Sequence, residues 1–498
     1  MSSDEANDAA FRERLLSDPR LSPVLSDPAR FRAQVLLTEV VETSGSGTEA
    51  CPSRGNTRLR RHAFRADAEY FYPASTVKLF GAIAACVTLR ELARAHPGLD
   101  KDTPLAFGAA PRGDDVPNET EHEATAKNTH STASRDVTTL RAELAKLFLT
   151  SDNRAFNRCF DLCGPSGIRR WTARHMPGED VRITHRLFDD AGDAGEADAA
   201  SALPEVWAKP KPRGGGGGGW VRILEKRTDA CRFEDDAPEN DTHSTYRVGS
   251  FLYRALENDV VSGGLDCEKR NRCSLRALQR AALILARPDL VGFFERETLK
   301  ENHETPRIHG SHQHKFGCQA TSLHPEDRAF LLRCAAAAPR DAAALGVTDA
   351  AYLRRARSVP DAYPKFFLPG IRRALLARAG PLAGPQAPGR YAPTVTNKLG
   401  RAYGFSVDNA HVRVDTAVDP DAARGDEACG RTSTGMCFRE FFLAVAVETN
   451  ANGVVNDDAY EYEETADPFM EAVAEVAAKF VWDPERAERG EWDEACTS

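Results

Sequence analysis

The 498-residue sequence predicts an α/β fold of the α+β kind: an antiparallel five-stranded sheet built from both chain ends, plus a helical lobe between them. Three observations predict it. Strand-like apolar runs cluster near the two ends, QVLLTEVV at 34–41 and FFLAVAVET at 441–449 being the strongest. Helical-period stripes fill the middle. Each end also supplies a helix that can cover the sheet.

The elements follow in order. Asp4–Leu16 has an acidic start and helical spacing through Phe11, Leu15 and Leu16. Gln34–Val41 reads as a buried strand, and Leu59–Phe64 as its antiparallel partner across a Ser/Gly/Pro-rich connection at 44–55. Pro73–Leu92 is the clearest helix: Pro73 suits the first turn, and Val77, Phe80, Ile83, Ala84 and Val87 form one stripe. Leu140–Leu149 repeats the pattern. Arg154–Cys163 carries a third stripe, ended by Gly164-Pro165, and Ile168–Arg174 a short fourth. Helices are also predicted at Ser274–Ala286 and Arg328–Ala338. Strands follow at Thr394–Leu399, Ser406–Val414 and Phe441–Thr449. After a turn at Asn450–Gly453 and an acidic loop comes a last helix, Phe469–Val481.

Three polar stretches interrupt this pattern: 103–135, 189–245 with six consecutive glycines at 214–219, and the His-rich 295–324. They offer too little apolar surface to offset ordering entropy and read as loops or disorder. The length alone suggests about three domains at ~100–200 residues each. The order of elements instead predicts one domain, with a sheet lobe from 1–70 and 390–485, a helical lobe from 71–389, and the excess length in the insertions.

Composition narrows the function. There are 65 basic and 74 acidic residues, a net charge of −9, which opposes a general nucleic-acid binder. No apolar run approaches the ~18 residues of a membrane span. The acidic start, Met1–Glu5, lacks the basic and apolar regions of a signal peptide. A cytoplasmic location is therefore expected for the sequence as given, and a periplasmic or secreted one if a leader was trimmed. Twelve cysteines without a C-x-x-C pair read as buried reduced thiols, with Cys86, Cys159 and Cys334 among apolar neighbours.

Chemistry is carried by three motifs in order: Ser75-Thr76-Val77-Lys78, Ser151-Asp152-Asn153 and Lys398-Leu399-Gly400. Ser75 and Lys78 lie one turn apart at a helix start and share a face. A serine hydroxyl becomes a good nucleophile when a neighbouring base takes its proton. A lysine serves as that base only when neutral, which requires burial and a nearby cation.

The three motifs, with FYPASTVKL at 71–79, SDNRAFNRCFDLCGPSGI at 151–168 and NKLGRAYGFSVDNAHV at 397–412, resemble the class A β-lactamase-like serine hydrolases of the β-lactamase/penicillin-binding-protein superfamily. About half of the chain is covered. The resemblance implies a β-lactamase/transpeptidase-like fold and an acyl-enzyme at Ser75. It makes Lys78 the base, Lys398 the cation that keeps Lys78 neutral, and Ser151 a proton relay. Asn153 would donate to the substrate carbonyl. The N–H groups of Ser75 and Arg401, beside Gly400, would form the oxyanion hole. Two departures stand out. Leu399 replaces a hydroxyl residue that helps hold a substrate carboxylate. The stretch VRITHRLFDD at 181–190 resembles an Ω-shaped loop but lacks a clear glutamate motif, leaving Asp189, Asp190 and Glu196 as candidate deacylation bases.

The expected substrate is a small molecule or peptide with an amide or ester, a β-lactam included. The alternatives are D,D-peptidase or esterase activity, or a non-catalytic binding protein. No cofactor or metal is implied, and a monomer is expected. His303, His309, His312, His314 and Cys318 fit no zinc spacing, and 450–458 does not have that of a calcium loop. Tyr363, Phe71, Tyr403 and Phe405 read as core rather than cleft residues.

Overall fold

Strand alternation decides how the molecule is layered. The structure, a computed structural model, describes residues 3–43, 56–111, 137–187, 202–211, 219–228, 246–255, 257–291, 323–361, 363, 365–379, 391–417, 436–483 and 486. Its principal elements are α1 (Ser3–Ser17), β1 (Gln34–Thr43), β2 (Asn56–Phe64), α2 (Lys78–Ala95), α3 (Leu140–Leu149), α4 (Asn153–His175), α5 (Leu275–Ala286), α6 (Pro325–Ala336), α7 (Leu368–Ala379), β3 (Tyr391–Asn397), β4 (Gly400–Ala402), β5 (Phe405–Ala417), β6 (Met436–Glu448) and α8 (Asp467–Val481). The fold is mixed α/β.

The main sheet is antiparallel, in the order β3-β5-β6-β1-β2, with β4 also paired to β5. β3 and β4 follow one another along the same edge of β5, so the sheet is five strands across, as expected. The expected strand at 394–399 ends at Asn397, and the chain re-enters the sheet at Gly400. A two-residue turn at Tyr403-Gly404, with φ of 54° and 83°, closes β4 onto β5. Positive φ at both turn residues matches the right-handed strand twist.

Successive side chains point to opposite faces of a strand. Val35, Leu37, Leu443 and Val445 enter a core with α1, α7 and α8, whereas Leu36, Phe442, Ala444 and Ala446 enter one with α2 to α6. Burial on both faces explains why β6 reads FFLAVAV without polar alternation. On the helical side, Gln279 of α5 donates to the carbonyls of Leu36 (3.0 Å) and Phe442 (3.3 Å) and accepts from Thr38 (2.6 Å). This ties α5 to the sheet without leaving its buried amide unpaired.

One sequence expectation holds and two change. The two helices expected at 154–174 are present within Asn153–His175, divided where expected at Gly164 (φ 69°, ψ 163°, non-helical) and Pro165, which supplies no amide hydrogen. Parts of two stretches read as loops are packed: Pro104–Phe107, Val206–Ala208 and Val221–Leu224 join Val137–Thr139, which lies just beyond the first stretch, in a four-stranded antiparallel sheet. Leu105, Val206, Ala208 and Ile223 bury themselves in the helical-side core. Strands this short carry too few residues for a periodic signal. The helices at Ala350–Ser358 and Leu368–Ala379 were not foreseen. The segments 44–55, 112–136, 188–201, 212–218, 229–245 and 292–322 lie outside the described residues, and with them Asp189, Asp190, Glu196, His303, His309, His312, His314 and Cys318.

Candidate active site

The three motifs occupy three different elements. Ser75 lies in a 3-10 turn, Ala74–Val77, that runs directly into α2. Ala74 before it has φ 46°, a conformation uncommon without glycine. Thr76 braces the turn by donating its hydroxyl to the Pro73 carbonyl at 2.5 Å. Lys78 is the first residue of α2 and is fully buried. Ser151 sits between α3 and α4 at φ 56°, and Asp152 caps α4 by accepting from the Ala155 amide at 2.8 Å. Asn153 opens α4, and Lys398 lies between β3 and β4.

The side chains meet around one hydroxyl. Ser151 Oγ lies 3.1 Å from Lys78 Nζ and 2.9 Å from Lys398 Nζ. Lys78 Nζ also donates to Asn153 Oδ1 at 2.7 Å and to the Ser151 carbonyl. Lys398 Nζ donates to the Leu399 carbonyl at 2.6 Å. Burial pushes the Lys78 amine well below its ordinary value and Lys398 adds to this, with Asp152 opposing. Burial brings Lys398 down to about 7; Asp408 opposes and Lys365 reinforces. Two ammonium groups sharing one buried hydroxyl repel, so the arrangement favours one neutral amine.

Gly400 brings the strand edge onto the Ser75 turn. A Cβ there would lie 2.7 Å from the Ser75 nitrogen and 2.8 Å from the Pro73 oxygen. Only a residue without a side chain permits this approach. Arg401 follows in β4, opposite Ser406 of β5. Its guanidinium turns to Asp467, to Ser406 Oγ at 3.3 Å, and between the rings of Phe366 and Tyr462, each at 4.6 Å. Any role in the site therefore falls to its backbone. Leu399 is buried, placing an apolar side chain where the resemblance implies a hydroxyl. Among the four aromatic residues weighed, Phe71 and Phe405 are core and Tyr403 packs partly buried against Tyr72, but Tyr363 is 45% exposed, so its expected core placement does not hold.

The loop after α4 is held from below. Asn157 donates to the Leu187 carbonyl and accepts from the Leu187 amide, both at 2.8 Å. His185 accepts from the Asn271 amide at Nε2 (3.1 Å) and contacts the Arg186 carbonyl through Nδ1 (2.7 Å). Burial lowers it to about 4, so it is neutral with its proton on Nδ1.

Sequence reading missed a second polar group behind Lys398. Lys365, fully buried, donates to Asn397 Oδ1 at 2.8 Å, to the Val395 carbonyl at 3.1 Å and to the Ala335 carbonyl. Asn397 in turn donates to both Asp408 oxygens at 2.9 and 3.0 Å. Asn397 and Asp408 stand in a stretch the motifs singled out, but nothing in the sequence around Lys365 signals its burial.

No family model matches the chain, and no curated protein matches it. Solved structures similar to it include a β-lactamase from Desulfarculus baarsii, 15% identical, TM-score 0.36, covering 95% of this chain and 98% of that one. Another is a β-lactamase from Burkholderia vietnamiensis, 15% identical, TM-score 0.35, covering 98% and 97%. A third comes from Xanthomonas campestris pv. campestris, 12% identical, TM-score 0.36, covering 95% and 98%. Identities and TM-scores at this level carry neither a fold nor an activity across to this chain. Among the described residues, no helix is long and apolar enough to cross a membrane.

Proposed function

We propose that the protein is a serine hydrolase of β-lactamase-like type that forms an acyl-enzyme at Ser75 on an amide or ester substrate. The observation that carries this reading is Ser151 Oγ between the amines of Lys78 and Lys398, with Gly400 against the Ser75 amide.

In this reading neutral Lys78 takes the Ser75 proton as Oγ attacks the acyl carbonyl. The Ser75 and Arg401 N–H groups hold the oxyanion. As the tetrahedral intermediate collapses, Ser151 gives its proton to the leaving nitrogen or oxygen and regains one from the Lys78 ammonium. Asn153 orients the substrate carbonyl. Water then hydrolyses the ester, returning the acid and free Ser75. Lys398 supplies the positive charge that keeps Lys78 neutral.

A fluorophosphonate probe and a fluorescent penicillin test it. Covalent labelling of the native protein is expected and is lost in Ser75→Ala; no labelling by either probe overturns the reading. Buried Leu399 favours a second version, an esterase of uncharged substrates, because it cannot hydrogen-bond a carboxylate. Labelling by fluorophosphonate with cleavage of p-nitrophenyl esters, and none of nitrocefin or D-Ala-D-Ala peptides, selects this version.

A further inference from the structure

A second fully buried lysine, a carboxylate and the amide between them lie directly behind Lys398 on the sheet side. Lys365 precedes α7, Asn397 ends β3 and Asp408 lies in β5, so three separate elements converge there. All three side chains are at least nine-tenths buried. Lys365 finds an acceptor for each of its three ammonium protons, in Asn397 Oδ1 and the carbonyls of Val395 and Ala335. Asn397 passes the connection on through its amide to both oxygens of Asp408, whose Oδ1 also accepts from the Asn409 amide at 2.8 Å. The Lys398 amide donates to the Asn409 carbonyl at 3.2 Å, so the backbone carrying Asp408 also fixes that of Lys398. A buried charge pair bridged by an amide costs desolvation, which packing alone does not require.

We propose that Lys365, Asn397 and Asp408 act as a positioning unit that sets the charge state and place of Lys398, and through it the basicity of Lys78. This rests on the serine-hydrolase reading. The charged groups facing Lys398 are Lys78 from α2, Asp408 from β5 and Lys365 from the segment before α7; Asp152 faces Lys78 from the start of α4. Asp408 stabilises the Lys398 ammonium and Lys365 opposes it, so the two hold it in balance. Burial draws Lys365 to about 7 against the pull of Asp408. Burial also raises Asp408 to about 6, opposed by Asn397, the Asn409 amide and both lysines. The unit therefore changes charge near neutral pH.

The sign of each variant follows. Removing the like charge in Lys365→Met lets Lys398 keep its proton to higher pH. Removing the counter-charge in Asp408→Asn makes it lose the proton at lower pH. The test is a pH titration of Lys398 by NMR in 13C,15N-lysine-labelled full-length protein, assigned with Lys398→Arg, alongside the pH profile of Ser75 labelling by the fluorophosphonate. Lys365→Met is expected to raise the Lys398 midpoint and the alkaline limb of labelling by about one pH unit, and Asp408→Asn to lower both by about as much. Lys365→Arg is expected to restore both. Should Lys365→Met fail to fold, the near-isosteric Asp408→Asn carries the test. A Lys398 midpoint unmoved in the folded variants overturns the inference, even if labelling rates fall. Midpoints that move in a protein whose Ser75 is never labelled uphold the positioning unit and defeat the serine-hydrolase reading.

Discussion

Two lysine amines share the Ser151 hydroxyl, and each is taken out of water. Burial of one ammonium is costly, and burial of two at one hydroxyl is more so unless a proton leaves. The same arrangement that destabilises the folded chain prepares Lys78 to accept a proton. Ala74 and Ser151, both non-glycine residues at positive φ, add local strain on either side of this group. Gly400 is sensitive to change, because its missing side chain leaves room for the Ser75 amide. Gly400→Ala is expected to push β4 off the turn and reduce Ser75 labelling by about 10²–10³, the cost typical of losing an oxyanion donor. Far-UV circular dichroism is expected to stay unchanged. Labelling within threefold of the native rate would show that β4 does not need this close approach.

At the scale of elements, Arg486, just after α8, is tied to β1 by an ion pair with Glu39. Arg486, 1% exposed, makes two hydrogen bonds of 3.0 Å to Glu39, which also meets His62 at 2.6 Å. Burial raises the Glu39 carboxyl, but His62 and Arg486 outweigh it and hold the group below its ordinary value. Arg486→Met leaves a buried carboxylate with one partner fewer, and a loss of ~3–5 kcal/mol is expected in urea denaturation. The double variant Glu39→Gln, Arg486→Met is expected to lose less, since no unpaired charge remains. Equal losses in both would assign the effect to packing around Phe480, whose ring lies 3.9 Å from the Arg486 guanidinium.

The whole molecule has its sheet made from both chain ends and its helices from the middle. β6, near the C-terminus, pairs with β1, near the N-terminus, at the centre of the sheet. Neither end can bury its strands alone, and α2 to α6 need the sheet to cover their apolar faces. We therefore propose a single folding unit, for which one cooperative urea transition is expected, coincident by tryptophan fluorescence and far-UV circular dichroism. Two separated transitions would mean that the lobes are independent domains.

The elements legible in the sequence are those with a long repeat of their own. Phe441–Thr449 carries enough apolar residues to announce a strand, and Val77 to Val87 enough to announce a helix. The spacing of Ser75 and Lys78 on one turn is local chemistry and could be read directly. The short strands at 104–107 and 206–208 could not, because each is stabilised by a partner about a hundred residues away. Lys365 is the clearest case. Its sequence neighbourhood, Tyr363 to Phe367, gives no sign that the amine is buried or that it meets Asn397 and Asp408. By itself the sequence determined the turn that pairs Ser75 with Lys78, the order of the motifs and the ends that build the sheet, all of which rest on interactions between near neighbours or on long periodic runs. Only the tertiary structure decided the break in the edge strand between Asn397 and Gly400, the small four-stranded sheet and the charged groups that surround Lys398. A buried charge takes its partners from whichever elements the packing brings within hydrogen-bond reach, and that distance is not written in the spacing of residues along the chain.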